Sequence, residues 1–473
     1  MIKKTFGELA RIVSAAALST EAASAVFAGV STDSRRIQPG MMFVPLMGDN
    51  FDGHHYALQA MEKGATGALW QSGVPVPPEL GDWPLVPVDD TLAALQQLAA
   101  AYRRELPVKV IGITGSNGKT TTKDMVAAVL AASYRVHKTA GNLNNHIGLP
   151  LTILEMAPDT EAAVLEMGMS GFGEIELLSQ IAQPDMAIIT NIGDAHLLQL
   201  GSREGIATAK LEIASGLAPG GLLIYNGDEP LLRSGIAKLA QEQSLEAVSF
   251  GIGEQNDWVA DRIRVTLEGS VFDLHGSGSE RSVTLTELRI PAPGRHNVTN
   301  AAAAVACGLR LGVPVEAIAS ALASMKITGM RIEAVKAYNG AVVLNDAYNA
   351  NPTAVRAALD LVEQLQGYAA KRLVLGDMLD LGPEEAELHR EIGRYIDAGK
   401  ADVVYAYGPL SRYTAEGAAE QLAAGCVRHY ESKAELASAL LLELAPEDLV
   451  LVKGSRGMRM EDIVHALEQG LGG

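Results

Sequence analysis

At 473 residues, 48% hydrophobic and 20% charged, the chain has the composition of a globular protein and is too long for a single core; at about 100–200 residues per domain, three domains are expected. The 38 basic against 56 acidic residues leave a net charge of −18, which argues against nucleic acid or an anionic membrane as partner and requires any anionic small molecule to be met by local cations and helix N-termini. The two cysteines, Cys307 and Cys426, lie far apart with no CxxC spacing, so neither a zinc site nor a disulfide framework is expected, and a reducing cytoplasm fits.

The first segment, residues 1–105, opens with MIKKTFGELARIV. Thr5-x-x-Glu8 reads as a capping box, and Phe6, Leu9, Ile12 and Val13 recur at helical spacing. Glu8, Arg11 and Glu21 interrupt each apolar run that an export signal would need, so an amphipathic helix of the mature protein is expected. No run reaches the ~18 apolar residues of a membrane span. Next comes STDSRRIQPGMMFVPLMGDNFDGHHY, a short strand between turn-rich stretches. By residue type alone, Asp33, Arg35, Asp52, His54 and His55 read as solvated loop. A helix (YALQAMEKGA), a strand (TGALW), a Pro-rich stretch at 71–87 and a helix at 91–104 complete a small α/β unit.

The second segment, 106–327, alternates short apolar strands with helices, the pattern of a mostly parallel sheet covered on both faces. Its first strand runs into ITGSNGKTTT. The phosphate-loop pattern G-x-x-x-x-G-K-[ST] would place its first glycine at 113, where Ile113 stands. The end of the pattern is intact: Gly115, Ser116, Asn117 and Gly118 suit a tight loop around phosphate oxygens, Lys119 supplies a point charge, and Thr120 suits a magnesium ion. Glu166 ends the strand AAVLE and His196 follows the strand MAIIT, so both should emerge on the loop's edge of the sheet. A carboxylate there is a natural magnesium ligand, whereas His196 could equally orient a phosphate or cap a turn. Lys210 lies on a helix between Ile206 and Ile213. It reads either as a snorkelling surface lysine or as a desolvated, neutral amine able to take up carbon dioxide as a carbamate. GNLNNHIGLP (141–150) gathers Asn142, Asn144 and Asn145, amides suited to phosphate or sugar contacts or to a turn. The β-rich stretch 246–290 should elaborate the sheet's far end. GRHNVTNAAAAVACGLRLG should form a helix capped by Asn297 or Thr299.

The third segment, 328–473, repeats the strand–turn–helix pattern as a second doubly wound unit. In NDAYNANPTAV, Asp346 ends a strand and Asn351-Pro352 reads as an N-cap with proline at the first helical position. KGSRG puts Lys453 and Arg456 after another buried strand, as a site or a solvated turn.

Taken together, GSNGKTTT, GNLNNHIGLP, LEMGMSGFGEI, NIGDAHLLQLGS, the helix carrying Lys210 and GRHNVTNAAAA resemble the Mur ligase family of ATP-dependent amide ligases that build peptidoglycan precursors. The resemblance spans essentially the whole chain. It implies an α/β fold in a three-domain architecture: a small N-terminal α/β domain (1–105) for a UDP-linked substrate, a central P-loop-type, mostly parallel sheet domain (106–327) for ATP, and a C-terminal Rossmann-like domain (328–473). Within the family, STDSRRIQPGMMFVPLMGDNFDGHHY and NDAYNANPTAVRAAL resemble the members that join D-alanyl-D-alanine to a UDP-N-acetylmuramoyl-tripeptide. The resemblance implies ATP and Mg2+ and a set of roles. Lys119, His196 and Lys210 would be catalytic. Gly115, Ser116, Asn117, Gly118, Lys119, Thr120, Thr121, Asn300, Arg331 and Asp346 would meet ATP. Thr120, Glu166, His196 and a carbamylated Lys210 would hold metal. Ser34, Arg35, Asn50 and Asp52 would meet the uridine diphosphate, Asn142 and Asn145 the substrate near the loop, and Tyr348, Asn349 and Asn351 the dipeptide. The expected partners are small molecules only, with a cytoplasmic monomer. The alternatives are the family member that adds the third amino acid and, from another class, a P-loop nucleotide-hydrolysing switch.

Overall fold

The computed structural model describes residues 1–242, 245–277, 282–326, 329 and 331–470. The boundary expected between 327 and 328 lies outside the described residues. The chain forms three α/β domains. Among the described residues no helix is long and apolar enough to cross a membrane.

The N-terminal helix forms over Phe6–Ile12 with the expected capping box: the Thr5 hydroxyl accepts from the Glu8 amide, and the Glu8 carboxylate accepts from the Thr5 amide at 2.7 Å. Behind it, a four-stranded parallel sheet runs in the order Val30–Ser31, Met42–Phe43, Gly67–Gln71, Leu85–Val88. The strand ladder of the central domain holds nine strands. Seven are parallel, in the order Val136–Lys138, Ala162–Glu166, Lys109–Thr114, Met186–Ile189, Leu222–Asn226, Glu246–Gly251 and Trp258–Thr266. Two antiparallel strands, Gly269–Ser277 and Ser282–Ile290, extend the far edge as expected. In the third domain the order is Glu333–Lys336, Val342–Asp346, Leu449–Lys453, Lys371–Gly376, Val403–Tyr407, Val427–Tyr430, parallel except for the first pair.

The cores follow this order unevenly. One continuous core runs from the N-terminal domain (Ile2, Phe6, Leu9, Leu95) into the central one (Leu149, Leu165, Ile189, Leu223). The third domain keeps its own cores on the two faces of its sheet. Among the described residues, the central-domain side chains that pack against the first of these cores are Val265 and Leu267, from the far-edge hairpin region.

The helix Arg295–Arg310 corrects one expectation. It starts at Gly294 with no side-chain cap. Gly294 adopts φ +107°, a conformation glycine accepts readily, so the helix begins earlier than a cap at Asn297 or Thr299 would allow. Those two side chains instead donate to the carbonyls of Pro293 and His296, each at 2.8 Å.

Candidate active site

The strand Lys109–Thr114 delivers the glycine loop to the helix Lys119–Ala131. Both loop glycines are required by close approach. A Cβ on Gly115 (φ +148°) would stand 1.8 Å from the Thr190 hydroxyl, and one on Gly118 (φ +78°) 2.9 Å from Asn300 Nδ2. The loop is tied to the next strand end: Ser116 N donates to the Asn191 carbonyl (3.1 Å), Asn117 N to Asn191 Oδ1 (2.9 Å), and the Thr190 hydroxyl to the Asn117 carbonyl (2.6 Å). No side chain caps the helix, so its first-turn N–H groups and positive end face the loop. Lys119 Nζ folds back to donate to the Gly115 carbonyl at 2.7 Å. Burial pushes its pKa down, with Glu166 opposing and Arg331 adding to the shift.

Glu166 pairs in register with Ile113 and therefore leaves the sheet beside the loop. Its carboxylate accepts from the Thr120 hydroxyl at 3.0 Å and from Asn144 Nδ2 at 2.8 Å. Across the domain junction, Arg331 Nη2 donates to the same Thr120 hydroxyl at 3.0 Å, while its guanidinium lies 4.2 Å from the centre of the Tyr348 ring. Arg331 Nε is buried without a hydrogen-bond partner among the described residues. A buried donor of this kind is costly unless an acceptor reaches it. These groups line a cavity of about 230 Å³ that also takes in Thr121, Asn191, His296, Asn300, Asp346 and Lys453.

His196 and Lys210, the further metal candidates, both lie within electrostatic reach of Lys119. His196 occupies a left-handed turn (φ +64°) ahead of the short helix Leu197–Leu200. Burial lowers its pKa, and Lys119 and Lys210 lower it further. Lys210 settles the question left by its helical spacing: it is buried, not snorkelling, at 2% exposure on the helix Arg203–Leu211. Burial, reinforced by Lys119, drives its pKa well down, which favours the neutral amine.

The third domain supplies the facing wall. Asp346 and Lys453 are register partners on adjacent parallel strands and form an ion pair at 2.5 Å; Lys453 also donates to the Asn349 carbonyl at 3.0 Å. Asn351 caps the helix Pro352–Gln364, as its sequence indicates, and its amide exchanges hydrogen bonds with the Asn117 amide at 2.8 and 3.2 Å. Thr353 donates to Asp194 at 2.7 Å. A second cavity, of about 290 Å³, opens beside the first and is lined by His196, Tyr348, Asn349, Asn351, Asp380 and Arg456 among others.

Several expected residues stand elsewhere. Ser34, Arg35, Asn50 and Asp52 line neither cavity. The Ser34 hydroxyl donates to Gln59 at 2.6 Å, Arg35 pairs with Asp33 at 2.9 Å, and Asp52 Oδ1 lies 2.6 Å from His54 Nδ1. His54 overturns the solvated-loop reading for its own position. It is 4% exposed, packs edge-on against Trp70, and accepts from the Gln71 amide at 3.2 Å. Asn142 is exposed, and Asn145 Oδ1 accepts from the amides of Ile147 and Gly148, a turn role. Asn144, between them, is the one that reaches Glu166. Asn191 and His296 escaped the sequence reading. Asn191 follows a strand end on the same edge as Glu166, so the rule that picked out Glu166 reaches it too.

The sequence patterns of three family segments match in order: the Mur ligase family catalytic domain over 26–103, the Mur ligase middle domain over 113–308, and the Mur ligase glutamate ligase domain over 330–456. The chain belongs to the Mur ligase family. Among Mur ligases, it is 48% identical over 467 residues, 99% of each chain, to the UDP-N-acetylmuramoyl-tripeptide–D-alanyl-D-alanine ligase of Bacillus subtilis. Its fold matches a crystal structure of MurF from Acinetobacter baumannii with a TM-score of 0.88 and 32% identity, covering 99% of both chains. It also matches MurF ligase from Thermotoga maritima in complex with ADP, with a TM-score of 0.80 and 27% identity over 93% of this chain and 97% of that one.

Proposed function

We propose that this Mur ligase joins D-alanyl-D-alanine to UDP-N-acetylmuramoyl-tripeptide at the expense of ATP, giving the UDP-linked pentapeptide, ADP and phosphate. The observation that carries the reading is the cavity in which Lys119 and Thr120 of the loop meet Arg331 and Asp346 of the third domain. Such a cavity gathers cations and N–H donors from two domains around one anion, which is what phosphoryl transfer between bound reactants requires. The similarity to the D-alanyl-D-alanine ligase of Bacillus subtilis supports the choice of acceptor.

In this reading, the terminal carboxylate of the tripeptide attacks the γ-phosphorus of ATP and ADP leaves. The neutral amine of the dipeptide then adds to the acyl phosphate carbon, and the tetrahedral species expels phosphate, which carries away the proton the nitrogen loses, as the amide forms. Negative charge gathers on phosphate oxygens and, in the tetrahedral species, on the former carbonyl oxygen as well. The amides of Gly115 to Thr121 cradle it, Lys119 swings from the Gly115 carbonyl onto it, and Arg331 offers its buried Nε, which has no partner among the described residues. Asn300 and Asp346 hold the nucleotide from opposite walls. The Thr120 hydroxyl and Glu166 carboxylate, 3.0 Å apart and buried, form a hard-oxygen pair that fits Mg2+. Bound there, the ion supplies charge neutralisation at the phosphates. Lys210, kept neutral by burial, reacts with carbon dioxide, losing one proton to become a carbamate. With His196 it would hold a second Mg2+. Tyr348, Asn349 and Asn351 face the dipeptide; Ser34, Arg35, Asn50 and Asp52 serve the uridine diphosphate, with Asn142 and Asn145 nearer the loop. The enzyme works as a cytoplasmic monomer.

The test is coupled phosphate release with ATP, UDP-N-acetylmuramoyl-tripeptide and D-alanyl-D-alanine, each left out in turn. Release should need all three, and Lys119→Ala should lower turnover by about a thousandfold or more while the protein stays folded. Phosphate release without the acceptor would mark a nucleotide-hydrolysing switch. Release with a single amino acid and the UDP-linked dipeptide, in place of D-alanyl-D-alanine and the UDP-tripeptide, would mark the ligase that acts one step earlier.

A further inference from the structure

The second cavity contains one carboxylate, Asp380, and one guanidinium, Arg456, on separate loops of the third domain. Asp380 sits in a left-handed conformation, φ +63°, which aspartate tolerates better than most side chains. The chain around it is fixed from several sides. The Asp377 carboxylate accepts from the Ser411 amide (2.6 Å) and hydroxyl (2.7 Å). His389, buried, accepts from the Met378 amide at 2.9 Å. Leu379 N donates to the Ser455 hydroxyl at 2.9 Å, and that hydroxyl donates to the Ala350 carbonyl at 3.2 Å. One serine therefore ties together all three loops of the third domain that line the cavity. The Asp380 carbonyl accepts from the Leu198 amide at 3.4 Å, so the turn rests on the segment that follows His196.

Against this anchoring, the exposed Asp380 carboxylate forms no hydrogen bond or ion pair with any described residue, and its charge faces His196, which lines the same cavity. Its neighbours at the junction differ: Asp194 accepts from Thr353, and Asp346 from Lys453. Arg456 is held at one end only, donating from Nη1 to Glu461 at 2.8 Å, and its side chain remains 55% exposed. An anchored loop carrying a carboxylate without a hydrogen-bond partner among the described residues, in one cavity with a half-engaged guanidinium, suits a short zwitterion.

We propose that Asp380 takes the ammonium end of the incoming dipeptide and Arg456 its carboxylate, so that the pair selects a free dipeptide and sets which end enters the reaction. This rests on the reaction proposed above. Both are specificity residues. Neither transfers a phosphoryl group in this assignment; the ammonium held at Asp380 gives one proton to water before the neutral amine attacks.

Steady-state kinetics with the full chain test it. Asp380→Asn keeps the left-handed turn and the shape but removes the charge. Its KM for D-alanyl-D-alanine should rise about tenfold to a hundredfold while the KM values for ATP and the UDP-tripeptide move by less than about twofold. Asp380→Glu should recover part of the loss. N-propionyl-D-alanine, which lacks the ammonium, should inhibit wild type and Asp380→Asn equally. Arg456→Gln should lose the preference for the dipeptide over its C-terminal amide. An unchanged dipeptide KM in Asp380→Asn, a parallel rise for all three substrates, or a loss of N-propionyl-D-alanine binding overturns the assignment while the reaction stands. No pentapeptide product from wild type overturns the reaction, and the assignment with it.

Discussion

The central domain meets its two neighbours in different ways. Toward the N-terminal domain the junction is apolar and continuous, with Ile2, Phe6 and Leu95 sharing a core with Leu149 and Leu165. Toward the third domain it is largely polar at the site, built from Arg331 on Thr120, Asn351 on Asn117 and Thr353 on Asp194. Close-packed apolar cores have few alternative arrangements, whereas a handful of hydrogen bonds can be exchanged with water or ligand at little net cost. The first two domains should therefore behave as one body and the third as a separable one, with the chemistry placed on the separable seam.

The largest expected effect tests the rigid side of that contrast. Phe6→Ala, at a fully buried position, should cost about 3–5 kcal/mol in urea unfolding. It should lower the stability of the N-terminal and central domains together, with turnover per folded molecule nearly unchanged. If the N-terminal domain melted alone, the shared core would not be a mechanical unit. Next, Arg331→Ala should slow turnover by about a hundredfold with little change in unfolding midpoint, since it removes a cation that crosses the polar seam. A large loss of stability instead would make that seam structural. The smallest effect concerns Lys210, buried with a folded-state pKa far below the ordinary lysine value of 10.5. Between the two values the unfolded chain binds more protons than the folded one, so stability should rise with pH across that window, by at most about 1.4 kcal/mol per pH unit. In buffer free of carbon dioxide, Lys210→Met should flatten that rise.

The sequence displayed the parts of this arrangement that depend on local rules. Thr5 with Glu8, and Asn351 with Pro352, are caps whose chemistry is complete within four residues, and both form. Lys119, Thr120 and Glu166 follow from a loop and a strand end. The rest depended on what folds beside what. Asn144 cannot be told from Asn142 or Asn145 by residue type; only the approach of the Glu166 strand selects it. His54 looks like a loop histidine until Trp70 closes over it. The cap placed at Asn297 or Thr299 failed because Gly294 accepts a positive φ that lets the helix begin early. Asp380 gave no signal, since what distinguishes it is its place in the second cavity without a hydrogen-bond partner among the described residues.

Val265 and Leu267 add one thing more. They reach from the far-edge strands of the central sheet into the third domain's core, a contact distinct from the hydrogen bonds at the glycine loop. A body clamped by oil at one point and by water-exchangeable contacts at another has a fulcrum and a free end. Truncating these two side chains should loosen the pivot without touching any group that meets a reactant, leaving an enzyme whose lever arm no longer returns to the same place on each stroke.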